Sequence, residues 1–282
     1  MTADRTALGA FLRSRRDGLT PARAGMTAFP GPRRVPGLRK EELAMLAGLS
    51  SDHYSRLEQG RQHTITDEVL RALSRALQLD GVEQAHLRDL AAPTSRRREV
   101  HETSQRAEPG MLRLMNVLDH VPVLLLGRRS EVLARNSLLT TVLGNPMEPG
   151  SSFVRWLFVD PEARTRISNW ADFAAASVGA LRYEVGQRPQ DRRLTAMVDE
   201  LRKRDEDVAR WWDDQGVTFR TSLTKNITHP VAGPLTFGIE SVVGPHDPDQ
   251  RLVVYTVEPH STTAAVLPIL AGWSADAPSQ RG

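Results

Sequence analysis

The 282-residue chain has no cysteine. This excludes disulfide staples, zinc ribbons and thiol nucleophiles, and it fits a protein of the reducing cytoplasm. Nor is there an apolar run approaching the ~18 residues that span a bilayer, so no membrane partner is expected. Residues 1–10 lack the apolar centre of a secretory signal. Enzyme signatures are also missing: there is no phosphate-cradling glycine motif, no HExxH metal motif and no serine elbow. His120, His229 and His260 stand beside turn residues, without a carboxylate at motif spacing, and read as structural. The expectation is a non-enzyme with no catalytic residues, no metal site and no cofactor. What is present is a soluble globular composition, 40% hydrophobic and 25% charged, with length enough for two domains.

Charge is unevenly spread. The first 98 residues carry 17 basic and 11 acidic side chains, the remainder 20 and 23. A basic N-terminal third points to a polyanionic partner, although charge by itself fits ordinary surface variation equally well. Within it, residues 7–16 form a short amphipathic helix with Leu8, Phe11 and Leu12 on one face. Residues 19–37 hold Pro30, Pro32 and Pro36 with Gly25, Gly31 and Gly37. They must be a loop, because proline lacks the donor that a helix interior needs. Helical periodicity resumes at Leu38 and runs, with short interruptions, to Ala91. Thr66 before Asp67 and Glu68 marks a helix start, since acids in a first turn face the positive end of the macrodipole. An all-α domain is thus expected over 1–92, followed by a polar linker over 93–110 that contains Arg96, Arg97 and Arg98.

The period changes after Met111. Residues 112–118 read as a helix; 121–127 and 131–134 read as strands joined by the polar turn Arg128, Arg129, Ser130. Helical patterns follow over 136–143, 153–158, 161–185 and 192–212. Three segments rich in Val, Thr, Phe and Tyr, at 217–227, 235–243 and 252–257, are bounded by Gly and Pro and read as strands; a helix over 261–273 closes the chain. Two strands, a block of helices and three strands is the order of a PAS-like α/β (α+β) domain, a five-stranded antiparallel sheet with helices on one face. It is expected over 111–275, with a disordered tail over 276–282.

The most informative stretch is Lys40 to Gly60, KEELAMLAGLSSDHYSRLEQG. Two steeply crossing helices need a small residue at their approach, a glycine at the turn and apolar residues at fixed inward positions. Ala44 supplies the first, Gly48 the left-handed turn, and Leu43, Ala47, Leu49, Tyr54 and Leu57 the inward set; Ser50 caps the second helix. The outward face of that helix is then Ser51, Asp52, Ser55, Arg56 and Gln59, aimed at a DNA major groove. Arg56 suits a bidentate pair with guanine. Asp52 either accepts from a cytosine amino group or stabilises the helix N-terminus, and His53 stands at the groove edge, as a phosphate donor or a bystander. Arg39, Lys40 and Arg61 flank the helices where phosphates run, and Arg33 and Arg34 in the loop reach towards backbone or minor groove.

At these residues the chain resembles a known family. VPGLRKEELAMLAGLSSDHYSRLEQGR, with VLRALSRALQL and HLRDLA after it, is similar to the Xre-type helix-turn-helix of actinobacterial regulators. The Pro/Gly insertion before PGLR narrows this to the MmyB-like subfamily. LGRRSEVLARNSLL, RWLFVDPEAR, NWADFAAASVGALR, HPVAGPLTF and DQRLVVYTVEP resemble that subfamily's PAS-like ligand-binding domain. His53 departs from an expected aromatic residue, Thr66 from a serine cap, and Arg135 from a tryptophan. The resemblance implies a sequence-specific DNA-binding regulator, a homodimer on double-stranded operator DNA, modulated by a lipophilic, fatty-acid-like small molecule.

Trp156, Phe158, Trp170, Phe173, Trp211, Phe237 and Tyr255, with Leu124 and Leu126, are the candidate lining of a ligand pocket, and Arg135, Asn136 and Arg182 the candidate contacts to a polar head. Such rings serve a plain core equally well; the residues favour the core, and the resemblance favours a pocket. The alternative is a second domain that acts only as a dimerisation or protein-interaction scaffold.

Overall fold

A computed structural model describes residues 5–30, 37–61, 65–92, 105–214, 223–244 and 246–276. Residues 93–104 of the expected linker and 277–282 of the expected tail lie outside them. The chain divides into two compact units. The first takes residues 1–100, 178–198 and 209–219, and the second takes 101–177, 199–208 and 220–282.

The first unit is built on five helices: α1 (Arg5–Gly18), α2 (Lys40–Ala47), α3 (Ser51–Glu58), α4 (Asp67–Ala76) and α5 (Gly81–Ala91). Phe11, Leu12, Leu38, Leu43, Tyr54, Leu57, Leu73 and Leu87 are fully buried in one cluster, as the helical spacing requires. Each start has a local cause. The Ser50 hydroxyl accepts from the His53 amide at 3.1 Å and the Thr66 hydroxyl from Val69 at 3.3 Å, while Asp80 and Glu83 form a reciprocal capping box. Gly48 turns the chain between α2 and α3 at φ 68°, a conformation in which a Cβ would be strained. Gly9 has a different reason to be glycine: a Cβ there would stand 2.2 Å from the Glu58 carbonyl oxygen, so α1 and α3 touch backbone to backbone.

Beneath that contact lies a buried ion cluster. Glu58 Oε1 accepts from Arg16 Nε at 2.6 Å and from the Tyr54 hydroxyl at 2.7 Å; Lys40 Nζ stands 3.5 Å from Oε2. Arg16 also donates to the Leu38 carbonyl at 2.7 Å. Burial by itself would raise the Glu58 pKa. The hydrogen bonds from Arg16 and Tyr54 and the charges of Arg16 and Lys40 outweigh it and hold the carboxyl below its usual range. Glu42, also fully buried, accepts from the amides of Phe29 (2.9 Å) and Arg39 (2.7 Å) and so stitches the proline-rich loop to the start of α2.

The first unit also takes residues 178–198 and 209–219, which sequence patterning assigns to the second domain. His86 of α5 is buried edge-on to Phe11, 5.2 Å between centroids, and its ring lies where a Cβ on Gly186 would be, 2.7 Å away.

The second unit holds a sheet of β1 (Val123–Leu126), β2 (Val132–Arg135), β3 (Leu223–His229), β4 (Gly233–Val243) and β5 (Arg251–Thr256). Its order is β2-β1-β5-β4-β3 and every pairing is antiparallel. This is the expected α+β arrangement. The helices are α6 (Pro109–Val117), α7 (Ser137–Leu143), α8 (Phe153–Val159), α9 (Pro161–Arg166), α10 (Trp170–Gln187), α11 (Arg192–Arg204), α12 (Glu206–Asp213) and α13 (Thr262–Asp276); α10, α11 and α12 each run across both units. Side chains alternate across a strand. Val123, Leu125, Leu252 and Val254 therefore face one side, where Met111 and Met115 of α6 cover them. Leu124, Val253 and Tyr255 face the other.

Two expected helices are broken. Residues 161–185 form α9 and α10, because the segment between them serves the sheet edge. Ile167 bridges to Ile227, and Asn169 exchanges hydrogen bonds with the Thr224 carbonyl and the Asn226 amide, both 2.9 Å. That covers the open edge of β3. Residues 192–212 form α11 and α12, since the Asp205 carboxylate accepts from the amides of Asp207 (2.9 Å) and Val208 (3.2 Å) and starts a new helix.

The Glu58 cluster generates a prediction. Glu58→Gln keeps the shape but strips the charge from buried Arg16, and should cost about 2–4 kcal/mol in urea unfolding at neutral pH. Because the folded-state pKa is depressed, the wild-type advantage is fully present above the unfolded carboxylate pKa, and it should fade as pH falls below about 4. A difference that does not change with pH would be the contrary result.

Candidate nucleic-acid interface and effector site

The polar face of α3 follows from the inward anchoring of Tyr54, Leu57 and Glu58. Ser51, Asp52, Arg56 and Gln59 are exposed, and His53 and Ser55 are half-buried. Two i,i+4 pairs run along this face: Arg56 Nη2 to Asp52 Oδ2 at 3.0 Å, and Gln59 Nε2 to the Ser55 hydroxyl at 3.3 Å. The Asp52–Arg56 pair sits on surface that is 78% and 52% exposed. Such a pair is worth about 0.3–0.5 kcal/mol, so it holds the Arg56 guanidinium only weakly.

The flanking bases divide. Arg61 is exposed. Arg39 donates from its guanidinium to the Pro30 carbonyl at 3.1 Å while its amide is held by Glu42. Lys40 is half-buried and shares its charge with Glu58. Ser50 is spent as the α3 cap. Arg33 and Arg34 lie outside the described residues.

In the second unit the side of the sheet away from α6 carries Leu124, Leu126, Phe237 and Tyr255, all buried. Facing them are Phe153 and Trp156 of α8 and Phe173 of α10; Phe158 and Trp170 pack edge to face, 6.2 Å apart, with Trp170 Nε1 donating to the Leu157 carbonyl at 2.9 Å. The candidate polar contacts are engaged elsewhere. Asn136 is the α7 cap: its Oδ1 accepts from the Leu139 and Val123 amides at 3.0 and 3.1 Å, and its Nδ2 donates to the Val121 carbonyl at 2.7 Å. Arg135 donates to the Pro146 carbonyl and pairs with Glu148 at 3.3 Å. Arg182 and Trp211 fall in the first unit, where Arg182 stacks 4.6 Å from the Trp212 ring and donates to the Trp211 carbonyl. Of these, Asn136 and Arg135 belong to the second unit and Arg182 and Trp211 to the first.

One residue escaped the sequence reading. Lys225 is fully buried on the inward phase of β3, in register opposite Phe237. Its ammonium lies 2.9 Å from the Tyr255 hydroxyl, 4.0 Å from the Phe173 centroid, 5.0 Å from that of Phe153 and 5.8 Å from that of Trp156. The alternation Leu223, Lys225, Ile227, His229 was the available signal, because it puts a charge where the pattern demands an apolar side chain.

His229 closes that row. Burial, with the Arg166 charge, holds its pKa below the usual value against a hydrogen bond to the Thr141 backbone. Its Nδ1 accepts from the Val231 and Ala232 amides at 3.3 and 3.0 Å, so the ring ties down the β3–β4 turn. Among the described residues no three His, Asp or Glu side chains cluster as metal ligands, and no helix is long and apolar enough to cross a membrane.

Residues 7–87 match the model of a helix-turn-helix domain, and residues 107–270 match that of the MmyB-like transcription regulator ligand binding domain. No curated protein matches the chain. The second model spans more than half of the 282 residues, and its span contains the five-stranded sheet. The chain belongs to the MmyB-like transcription regulators, with a helix-turn-helix domain ahead of a ligand-binding domain.

Proposed function

We propose that this regulator binds operator DNA as a homodimer in the cytoplasm, with α3 in the major groove, and that a fatty-acid-like molecule held in the second unit modulates it. The observation that carries the DNA reading is the division of α3. Tyr54, Leu57 and Glu58 are buried, while Asp52, Arg56 and Gln59 stand outward on a helix whose position is pinned by Glu58. Arg56 reads a guanine, and Arg61 with Arg39 meets phosphate. Half-sites then lie about one turn, ~34 Å, apart.

The effector reading is supported by the family's ligand-binding domain and by the aromatic and aliphatic side chains between the sheet and helices α8 and α10. Burying an acyl chain there gains ~0.8 kcal/mol per CH₂. The effector acts only through differential affinity for two states of the dimer.

Selection of bound duplexes from a random pool tests the DNA reading. Arg56→Ala should lose about 1–3 kcal/mol and relax preference at one base position. Arg61→Ala should weaken all sites alike and reduce the slope of log affinity against log salt by about one. Equal losses on every sequence for Arg56→Ala would remove it from base reading. Footprinting should show paired half-sites on each operator; protection of one half-site per bound protein counts against the homodimer.

A further inference from the structure

The first unit keeps a cavity of about 300 Å³ inside it, lined by α1, α5 and the ends of α10 and α12. α1 gives it Ala7 and Ala10, α5 gives Leu90, α10 gives Val185 and Gly186, and α12 gives Trp212. The hollow has a cause in the sequence. Ala7 and Ala10 stand three apart on one face of α1, and each side chain stops at its Cβ. Gly186 cannot fill the space either, because the His86 ring stands 2.7 Å from where its Cβ would be. Packed interiors seldom leave a void larger than a water. About 300 Å³ instead reaches the range of ligand pockets. Exposed Thr6 is part of the lining, so the cavity is reachable from solvent.

The two large polar side chains on its wall are engaged with protein. His86 lies edge-on to Phe11 and is tilted against Tyr183, 6.1 Å between centroids. Arg182 stacks 4.6 Å from the Trp212 ring centre and donates to the Trp211 carbonyl at 3.4 Å. Recognition is left chiefly to the carbon surface of Ala7, Ala10, Leu90, Val185 and Trp212. We propose that this cavity is a small-molecule site of the first unit, taking an uncharged, apolar molecule of about two fused rings. An apolar cavity of ~150 Å³ takes benzene, and about twice that volume suits a bicyclic molecule. A charge on the ring would have to shed water against alanine, leucine and valine side chains, which disfavours it. The site is separate from the effector space of the second unit, and it stands or falls independently of that reading.

Titration of the full chain with indole, and with indole-3-acetate as its anionic counterpart, tests this. Indole should bind with a Kd on the order of 0.1–1 mM and raise the melting temperature. It should bind roughly fivefold tighter than indole-3-acetate. Ala10→Leu fills the space from α1, and Val185→Phe fills it from α10. Each should abolish indole binding while keeping or raising the melting temperature of the ligand-free protein. Nuclear Overhauser contacts should run from indole to the methyl groups of Ala7, Ala10 and Val185. Binding retained in both folded variants, or contacts only to other methyl groups, puts indole elsewhere and overturns the proposal. A wild type that binds no indole, or binds indole-3-acetate as tightly, overturns it too. Should neither variant fold, the wild-type contacts decide.

Discussion

A single buried carboxylate holds the DNA-binding unit in register. Glu58 ends α3, yet its side chain is pulled inward by Arg16 of α1 and by Tyr54 one turn earlier on its own helix. Gly9 lets the two backbones close over it. The outward direction of Arg56 follows, because residues two apart on a helix cannot both face the core. A helix of eight residues has little stability of its own. Its orientation is borrowed from this cluster and from the leucines around it.

The second unit handles a buried charge in another way. Glu58 is surrounded by counter-charge, so its burial ends as a depressed pKa and a rigid contact. Lys225 reaches the Tyr255 hydroxyl at 2.9 Å and stands 4.0 Å from the Phe173 centroid.

The helix-turn-helix was legible because its determinants are local. Gly48, Ser50, Ala44 and the Tyr54–Leu57 spacing all lie within one window, and each acts on backbone a few residues away. The α+β architecture was legible from the order of strand and helix periods. The two helices read as unbroken end for different reasons: Asp205 starts α12 by a local cap, while the break before α10 is made at long range. Asn169 breaks an apparent helix to serve a strand more than fifty residues later. Asn136 is a helix cap that also holds the turn before β1, a role split between a local bond and two remote ones.

The sequence alone determined that a helical pair carrying a polar, arginine-bearing edge lies in the first third and that a five-stranded antiparallel domain follows, since periodicity, turn glycines and caps act within a few residues. The tertiary structure decided which polar groups are used up inside. Only the folded chain brings Arg16 to Glu58 and Tyr255 to Lys225, across 42 and 30 residues of sequence, and pairing at that range is set by how whole elements pack.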